Sequence, residues 1–520
     1  MKSADSRPVP PEECSGTVRR LAGYLPILPL LLAVILRLPL LFSELQYDEI
    51  WTLANFTQLD CLRILTDVSL PNNHPVNTLV LKLLSGVFSE APLLRSGVFL
   101  CGIAVVYLCG KCAEMFDTSK ECSFAAQLLA AAMPPLIVYS VTARGYIFQL
   151  LGLQLCVLGL HRSVKSEHCD RYAIAAIAGG GTVAFLSVSS GVMFLFAVAL
   201  GYLLLTPKAR RFNASALTGG ALLAFMAGAY YILLFNTLRS GQQWGEELST
   251  FMDWINFASR TVSAQLPLFI IPWVLTGIIF LRKLRIIFAL SLLPLLLALV
   301  TNGGPERVYL PLCITYTVIA AGGFSVLCQR SSRQRKAIIS LLVICAAGNW
   351  FFPEPVWTVP SPAADMRLAL AKMPEEILPV LPATAGLPAQ VNAPELEEKL
   401  NSRIWRVKQL YILHCKNGEF NGADSSKSEQ RMNFNIRGRE IREPAAGYCY
   451  QLSPLSAPPR PGTVVFAVFP MTPPEEFLKY SGRKLRLNIW LNKSFHLYIC
   501  EITEAEFPVN CPGSFYRLEE

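Results

Sequence analysis

The chain has 520 residues, of which 52% are hydrophobic and only 16% are charged. Soluble domains carry about a quarter charged residues, so this composition excludes an ordinary soluble protein and indicates a polytopic membrane protein. The net charge is +9, but residues 353–520 hold 19 basic and 19 acidic residues, so the excess lies in the preceding part of the chain and nucleic-acid binding is not expected.

Apolar segments long enough to cross a bilayer, which takes about 20 residues, dominate the first 352 positions. We count eleven, near 21–42, 97–115, 123–141, 146–161, 172–189, 191–206, 214–235, 264–281, 286–301, 308–327 and 337–352. Basic residues concentrate at alternate connections, and such loops face the cytoplasm. We therefore expect a cytoplasmic tail over residues 1–20, with no cleavable signal peptide, and an extracytoplasmic region from 353.

The C-terminal region 353–520 has the patterns of a small α/β or α+β domain. A helical stripe covers 363–380, and residues 472–479 are typical of a short helix. Segments rich in β-branched and aromatic residues predict strands at 409–415, 463–469, 485–491 and 495–502. Four cysteines suggest disulfides of open pairing: Cys415, Cys449, Cys500 and Cys511. The predicted fold is thus a polytopic α-helical membrane protein with this domain outside.

Polar residues gather where the predicted extracytoplasmic loops, the first of which covers 43–96, meet the spans. They are Asp48 and Glu49, then Asn72, Asn73 and His74, then Arg144 and Tyr146, and finally Glu306 and Arg307. Charged groups in apolar surroundings are costly unless a partner or a substrate compensates for their desolvation. Because all four sets fall on the same predicted face, we expect a polar functional site there.

Each of these residues also has a structural explanation. Asp48 is suited to capping a helix, and Glu49 is the more structural of the two, because it points about 100° away on a helix. Arg37, near the outer end of the first span, is expected to snorkel to the headgroups. The remaining alternatives are an N-cap for His74, snorkelling for Arg144 and an exposed ion pair for Glu306 with Arg307.

The order of these motifs resembles the GT-C glycosyltransferases. A first span is followed by Asp48-Glu49, then by Asn73-His74-Pro75, and after the third span by Ala143-Arg144-Gly145-Tyr146. Within that superfamily the chain looks most like the dolichyl-phosphate-mannose protein mannosyltransferases and their bacterial relatives, which include the lipid A aminoarabinose transferase. The resemblance covers about residues 20–350, and the stretch Pro305–Pro311 is similar to an Arg-Tyr-rich stretch near a late span of these enzymes.

The resemblance implies an inverting sugar transfer from a polyprenyl-phosphate donor to a lipid, glycan or protein acceptor, at the extracytoplasmic face of the bacterial inner membrane. Asp48 matches the catalytic base, with Glu49 beside it. His74, Arg144 and Arg307 are candidates to stabilise the leaving phosphate. Asn73, Tyr146 and Glu306 complete the expected substrate-binding set.

Other features leave alternatives open. No cofactor is certain, and a divalent cation on Asp48, Glu49 and His74 remains a weak candidate because the three residues have no ligand spacing code. The aminoarabinose transferase has Glu-Lys-Pro where this chain has Asn73-His74-Pro75, and the missing acid argues against aminoarabinose transfer. The rival classes are a lipid or small-molecule transporter, an oligosaccharide ligase and a non-catalytic scaffold.

Overall fold

The computed structural model describes residues 27–43, 45–68, 73–241, 248–301, 303–330 and 334–351, together with the backbone of nine short strands between 415 and 517. The chain divides into two compact units. One, the helical unit, contains 1–39, 98–141 and 145–356, and the other, the loop unit, contains 40–97, 142–144 and 357–520.

Helices fill most of the described residues. In chain order they are α1 Leu28–Leu41, α2 Tyr47–Asn55, α3 Cys61–Thr66, α4 Pro75–Ser85, α5 Ala91–Leu94, α6 Ser96–Ala113, α7 Lys120–Ala132, α8 Pro134–Tyr139, α9 Tyr146–Lys165, α10 Arg171–Ser187, α11 Gly191–Leu205, α12 Ala214–Leu233, α13 Phe235–Gly241, α14 Phe251–Gln265, α15 Ile271–Phe280, α16 Arg282–Ser291, α17 Leu293–Thr301, α18 Pro311–Arg330 and α19 Arg335–Phe351. Three-residue to four-residue 3₁₀ helices lie at Lys208–Arg210, Leu268–Ile270 and Glu306–Tyr309.

A helix or a pair of helices lies at each of the eleven predicted spans. Within the described residues, five helices are long and apolar enough to cross a bilayer, and a sixth qualifies if α14 and the segment Leu268–Phe280, bent by 79°, count as one. Three further apolar helices, Leu28–Leu41, Gly191–Leu205 and Ala337–Gly348, are shorter. An integral membrane protein is therefore confirmed, and the number of eleven spans stays a prediction.

Glycines allow close packing between helices of the helical unit. A Cβ atom added to Gly152 on α9 would lie 2.5 Å from the carbonyl oxygen of Gly180 on α10. One added to Gly323 on α18 would overlap with the carbonyl oxygen of Trp273 on α15. Such backbone contact between helices is how membrane bundles gain packing energy without a hydrophobic driving force.

The loop unit has its own core around the short helices that follow α1. Leu45, Ile50, Leu53, Leu81 and Leu94 are buried together with Ala143, which comes from the distant segment 142–144. Ile50 and Leu53 are three residues apart and so share one face of α2. The segment that carries Arg144 thus packs against the first loop.

The strands of the C-terminal region are β1 Cys415–Lys416, β2 Glu419–Phe420, β3 Asn433–Ile436, β4 Arg439–Arg442, β5 Ser453–Pro454, β6 Val464–Phe469, β7 Ser481–Leu487, β8 His496–Ile502 and β9 Phe515–Arg517. Two hairpins pair β1 with β2 and β3 with β4, and the other five form an antiparallel sheet in the order β5-β9-β6-β8-β7. Strands β6 and β8 lie where the sequence predicts them. The predicted helices at 363–380 and 472–479, and the pairing of the four cysteines, lie outside the described residues.

The snorkelling expected of Arg37 is wrong. Its side chain is fully buried, and Nη1 donates to the carbonyl oxygens of Ala33 at 3.1 Å and of Ala131 at 2.9 Å. Nη2 donates to the carbonyl oxygen of Ala130 at 3.4 Å. The guanidinium therefore points into the helical unit, since backbone oxygens at the end of α7 accept its hydrogen bonds.

Candidate functional site

A buried ion pair between Glu49 and Arg95 anchors the loop unit. Arg95 Nε donates to Glu49 Oε1 at 2.8 Å and Arg95 Nη2 donates to Oε2 at 2.6 Å, with both side chains 1% exposed or less. The remaining nitrogen, Nη1, donates to Ser43 O at 2.7 Å and to Leu41 O at 3.3 Å, at the end of α1. The pair has the two-pronged geometry that makes arginine–carboxylate contacts strong.

The Glu49 carboxylate also accepts two backbone N–H groups. Gln46 N donates to Oε2 at 2.8 Å, so Glu49 closes the first turn of α2, and Ala143 N donates to Oε1 at 2.7 Å. Each oxygen thus accepts one bond from Arg95 and one from the backbone, which uses the acceptor capacity of a carboxylate. The Glu49 carboxylate is therefore enclosed, and its contacts favour a role in holding the loop unit together, as the sequence analysis expects of the more structural of the two acids.

The segment 142–144 is held from both sides at Ala143. Its N–H donates to Glu49, and its carbonyl oxygen accepts a hydrogen bond from Asn77 Nδ2 on α4 at 2.9 Å. Asn77 is 1% exposed. Because both backbone polar groups of Ala143 are bound by side chains from two helices, the next residue, Arg144, starts from a fixed position.

Arg144 forms an ion pair with Asp48. Arg144 Nη1 lies 3.4 Å from Asp48 Oδ2, and the arginine side chain is 3% exposed whereas that of Asp48 is 31% exposed. Asp48 lies on the first turn of α2, next to the enclosed Glu49. The two adjacent acids therefore differ in exposure. The Asp48 carboxylate reaches solvent and has the Arg144 guanidinium beside it, whereas the Glu49 carboxylate is enclosed with Arg95.

Asn73 and His74 lie just before α4 in the same unit. Asn73 Nδ2 donates to the carbonyl oxygens of Ile64 at 2.9 Å and of Asp67 at 2.6 Å, and its Oδ1 accepts from Thr78 Oγ1 at 2.9 Å. The amide thus joins the end of α3 to the first turn of α4. His74 is 4% exposed and occupies the N-cap position of α4, where its carbonyl oxygen accepts from Thr78 N at 2.8 Å. Asn72 lies outside the described residues.

The described residues do not fit a metal ion on Asp48, Glu49 and His74. A metal ligand needs a free lone pair, and both oxygens of Glu49 are occupied by Arg95 and by backbone N–H groups. Within the part of the chain that the structure describes, no group of three or more His, Cys, Asp or Glu side chains is placed to hold a metal.

The other predicted site residues belong to the helical unit. Tyr146 begins α9, is buried, and packs edge-on against Tyr139 with ring centroids 4.9 Å apart. Glu306 Oε1 lies 3.1 Å from Arg260 Nε in a pair whose side chains are 41% and 54% exposed. Its backbone oxygen accepts from Gln265 Nε2 at 3.0 Å, which fixes the 3₁₀ turn that also carries the partly exposed Arg307.

Arg95 and Asn77 are the residues that the sequence analysis missed. Arg95 stands in the apolar stretch Ala91–Leu100, and the desolvation argument that drew attention to Asp48 and Glu49 applies equally to it. Asn77 comes three residues after His74, one helical turn along α4. A search for a cation able to pair with Glu49 would have found the first, but no signal in the sequence singles out the second.

Replacing Asn77 by Ala is expected to lower the free energy of unfolding by about 1–3 kcal/mol, because the buried carbonyl oxygen of Ala143 loses its donor. Thermal unfolding in detergent micelles measures the loss. Asn55→Ala is the matched control: Asn55 Nδ2 bonds to Trp51 O within its own helix at 3.1 Å, and its loss is expected to cost less. We call the two hydrogen bonds that hold Ala143, from its N–H to Glu49 and from Asn77 to its carbonyl oxygen, the clamp at Ala143. Equal unfolding temperatures for the two variants would contradict this clamp.

Comparison with solved structures finds ArnT from Cupriavidus metallidurans in the apo state, with a TM-score of 0.51 and 12% identity, over 71% of this chain and 85% of that one. The same protein bound to undecaprenyl phosphate gives a TM-score of 0.46 at 12% identity, over 94% and 98%. The apo oligosaccharyltransferase of Archaeoglobus fulgidus gives 0.39 at 11% identity, over 69% and 59%.

No protein-family model and no curated protein sequence matches the chain. At 12% identity the ArnT match concerns the fold alone, and the two scores below 0.5 add nothing to it. ArnT is itself a GT-C glycosyltransferase, so the fold expected from the ordered motifs is confirmed. The chain has a polytopic helical fold similar to that of ArnT.

Proposed function

We propose that this chain is a membrane glycosyltransferase that moves a sugar from a polyprenyl-phosphate donor to an acceptor at the extracytoplasmic face of the bacterial inner membrane. The observation that carries the proposal is that two adjacent acids have different surroundings. Glu49 is enclosed with both oxygens bound, while Asp48 is 31% exposed and lies 3.4 Å from the buried Arg144. A carboxylate that is accessible yet held in place is what a general base requires.

The reaction follows from that geometry. The Asp48 carboxylate takes the proton of an acceptor hydroxyl, and the oxygen lone pair attacks the anomeric carbon of the sugar. The bond between that carbon and the phosphate oxygen breaks, and polyprenyl phosphate leaves with the bonding electrons. Because the attacking and leaving oxygens lie on opposite sides of the sugar, a single displacement inverts the configuration of the anomeric carbon.

Arg144 is better suited to holding the base than to meeting the leaving group. Its guanidinium lies on the Asp48 carboxylate, and an inverting displacement places the leaving phosphate on the far side of the sugar. Burial of Arg144 and the clamp at Ala143 limit its movement. We therefore assign Arg144 the role of fixing the direction of the Asp48 carboxylate.

The other roles stay predictions. His74 and Arg307 remain candidates for stabilising the phosphate, and Tyr146 and Glu306 for binding the substrate. Asn73 has its amide engaged within the loop unit, which supports a structural role for it. In this proposal the acceptor is a lipid, a glycan or a protein, and the C-terminal region lies on the extracytoplasmic side.

Purified protein in liposomes, incubated with labelled polyprenyl-phosphate monosaccharides and a polyprenyl-diphosphate oligosaccharide, tests the proposal. We expect a monosaccharide donor to be consumed, with release of polyprenyl phosphate and a product of inverted anomeric configuration by NMR. Consumption of the oligosaccharide donor alone would favour a ligase. Movement of intact donor across the bilayer without cleavage would favour a transporter and contradict the proposal.

A further inference from the structure

The guanidinium of Arg37 occupies an unusual place, at the broken end of a neighbouring helix. Arg37 lies in α1 with its side chain fully buried, and its described hydrogen bonds all go to backbone carbonyl oxygens. Two of these, from Ala130 and Ala131, belong to the last turn of α7. Burying a charged side chain inside a membrane bundle costs free energy, and hydrogen bonds to its partners offset that cost.

The two carbonyl groups of α7 that Arg37 meets are those that two prolines leave without a donor. In a continuous helix, the carbonyls of Ala130 and Ala131 would accept the N–H groups of residues 134 and 135. Both of these residues are proline, which has no N–H group. Met133, the residue before Pro134, has φ −73° and ψ 116°, the extended conformation that proline favours in its predecessor, so α7 ends at Ala132.

An unsatisfied carbonyl oxygen in an apolar span is strongly unfavourable, and side chains of neighbouring helices are one way to satisfy it. Arg37 donates to Ala131 O at 2.9 Å and to Ala130 O at 3.4 Å from two different nitrogens of one planar group. The planar fork of a guanidinium suits two acceptors on successive residues, whereas a lysine ammonium is a single point charge.

We propose that Arg37 replaces the two backbone donors that Pro134 and Pro135 lack, and that it thereby acts as a positioning residue for the transfer reaction. The reaction part rests on the proposed function. The broken helix continues as α8, and the chain then leads through residues 140–143 to Arg144. Only these four residues separate the end of α8 from Arg144, so the break lies close in sequence to the residue that pairs with Asp48.

Arg37→Met removes the donors and keeps an apolar stem of similar length. We expect a lower unfolding temperature, amide exchange in residues 136–143 that is faster on the order of tenfold, and donor turnover that falls on the order of tenfold. Arg37→Lys is expected to lie between Arg37→Met and the wild type. Leu38→Met, on the exposed side of the same helix, is the matched control and should change none of the three.

Adding Pro134→Ala and Pro135→Ala to Arg37→Met separates positioning from stability. The alanines supply the missing N–H groups and release Met133, so a continuous helix satisfies both carbonyls. We expect the unfolding temperature to recover while turnover stays low, because the break is lost. Recovery of turnover together with stability would overturn the positioning role, and an Arg37→Met protein with unchanged exchange and unfolding would overturn the replacement of the two donors.

The failure of the proposed function is distinguishable from these results. If the wild-type protein consumed no donor, the glycosyltransferase assignment would be contradicted. Amide exchange and thermal unfolding need no substrate, so they would still decide whether Arg37 holds the break at Met133.

Discussion

Asp48→Asn is expected to reduce donor turnover by about 10²–10⁴-fold, the usual contribution of a general base. The amide has the size of the carboxylate but cannot accept the proton of an acceptor hydroxyl. Because Asp48 is partly exposed and asparagine has nearly the same shape, the protein is expected to fold normally. Release of labelled polyprenyl phosphate measures turnover, and retention of labelled donor measures binding, which we expect to be largely unchanged.

Asp60→Asn is the control for this substitution. Asp60 belongs to the same unit, is 63% exposed, and caps α3 through a hydrogen bond from Arg63 N to Oδ1 at 2.9 Å. An asparagine caps a helix about as well as an aspartate, so neither stability nor turnover should change appreciably. Wild-type turnover in Asp48→Asn would remove Asp48 from the mechanism, and an equal loss in both variants would show that the effect is not specific to Asp48.

The sequence was sufficient to predict the helices and the ordered motifs because both depend on local patterns. Runs of apolar residues give helices at each predicted span, and helical geometry alone separates Asp48 from Glu49 by about 100°. These arguments need only neighbouring positions. They explain why the helices could be predicted without any structure, whereas the GT-C fold and Asp48 as the candidate base follow from the resemblance of the ordered motifs to that superfamily.

Long-range partners could not be predicted in the same way. Arg95 lies 46 positions from Glu49, and Arg37 lies 93 positions from Ala130. The snorkelling prediction for Arg37 failed because an arginine near the end of a span has two favourable choices, lipid headgroups or buried carbonyl oxygens. Whether buried carbonyl oxygens are within reach depends on where Pro134 and Pro135 end the neighbouring helix. The sequence of the first span alone does not contain that information.

The buried pair of Glu49 and Arg95 should dominate the stability of the loop unit. Arg95→Met is expected to cost about 3–5 kcal/mol of unfolding free energy, since it leaves the Glu49 carboxylate enclosed without its cation and removes the donors to Ser43 and Leu41. Glu49→Gln should cost a comparable amount, because an amide NH₂ then faces donors of Arg95 or of the backbone. Thermal and denaturant unfolding in detergent micelles measure both losses.

The single variants Glu49→Leu and Arg95→Met, together with the double variant that combines them, decide whether the charges act as a pair. Removing both should be less damaging than the sum of the single losses by about 0.5–3 kcal/mol, because no uncompensated buried charge remains. Recovery should be partial, since the N–H of Ala143 still loses its acceptor and Arg144 its fixed position. The exposed pair of Arg260 and Glu306 is the matched control, and its loss through alanine should cost about 0–1 kcal/mol. Strict additivity of the two buried substitutions would mean that Glu49 holds the segment 142–144 without help from Arg95.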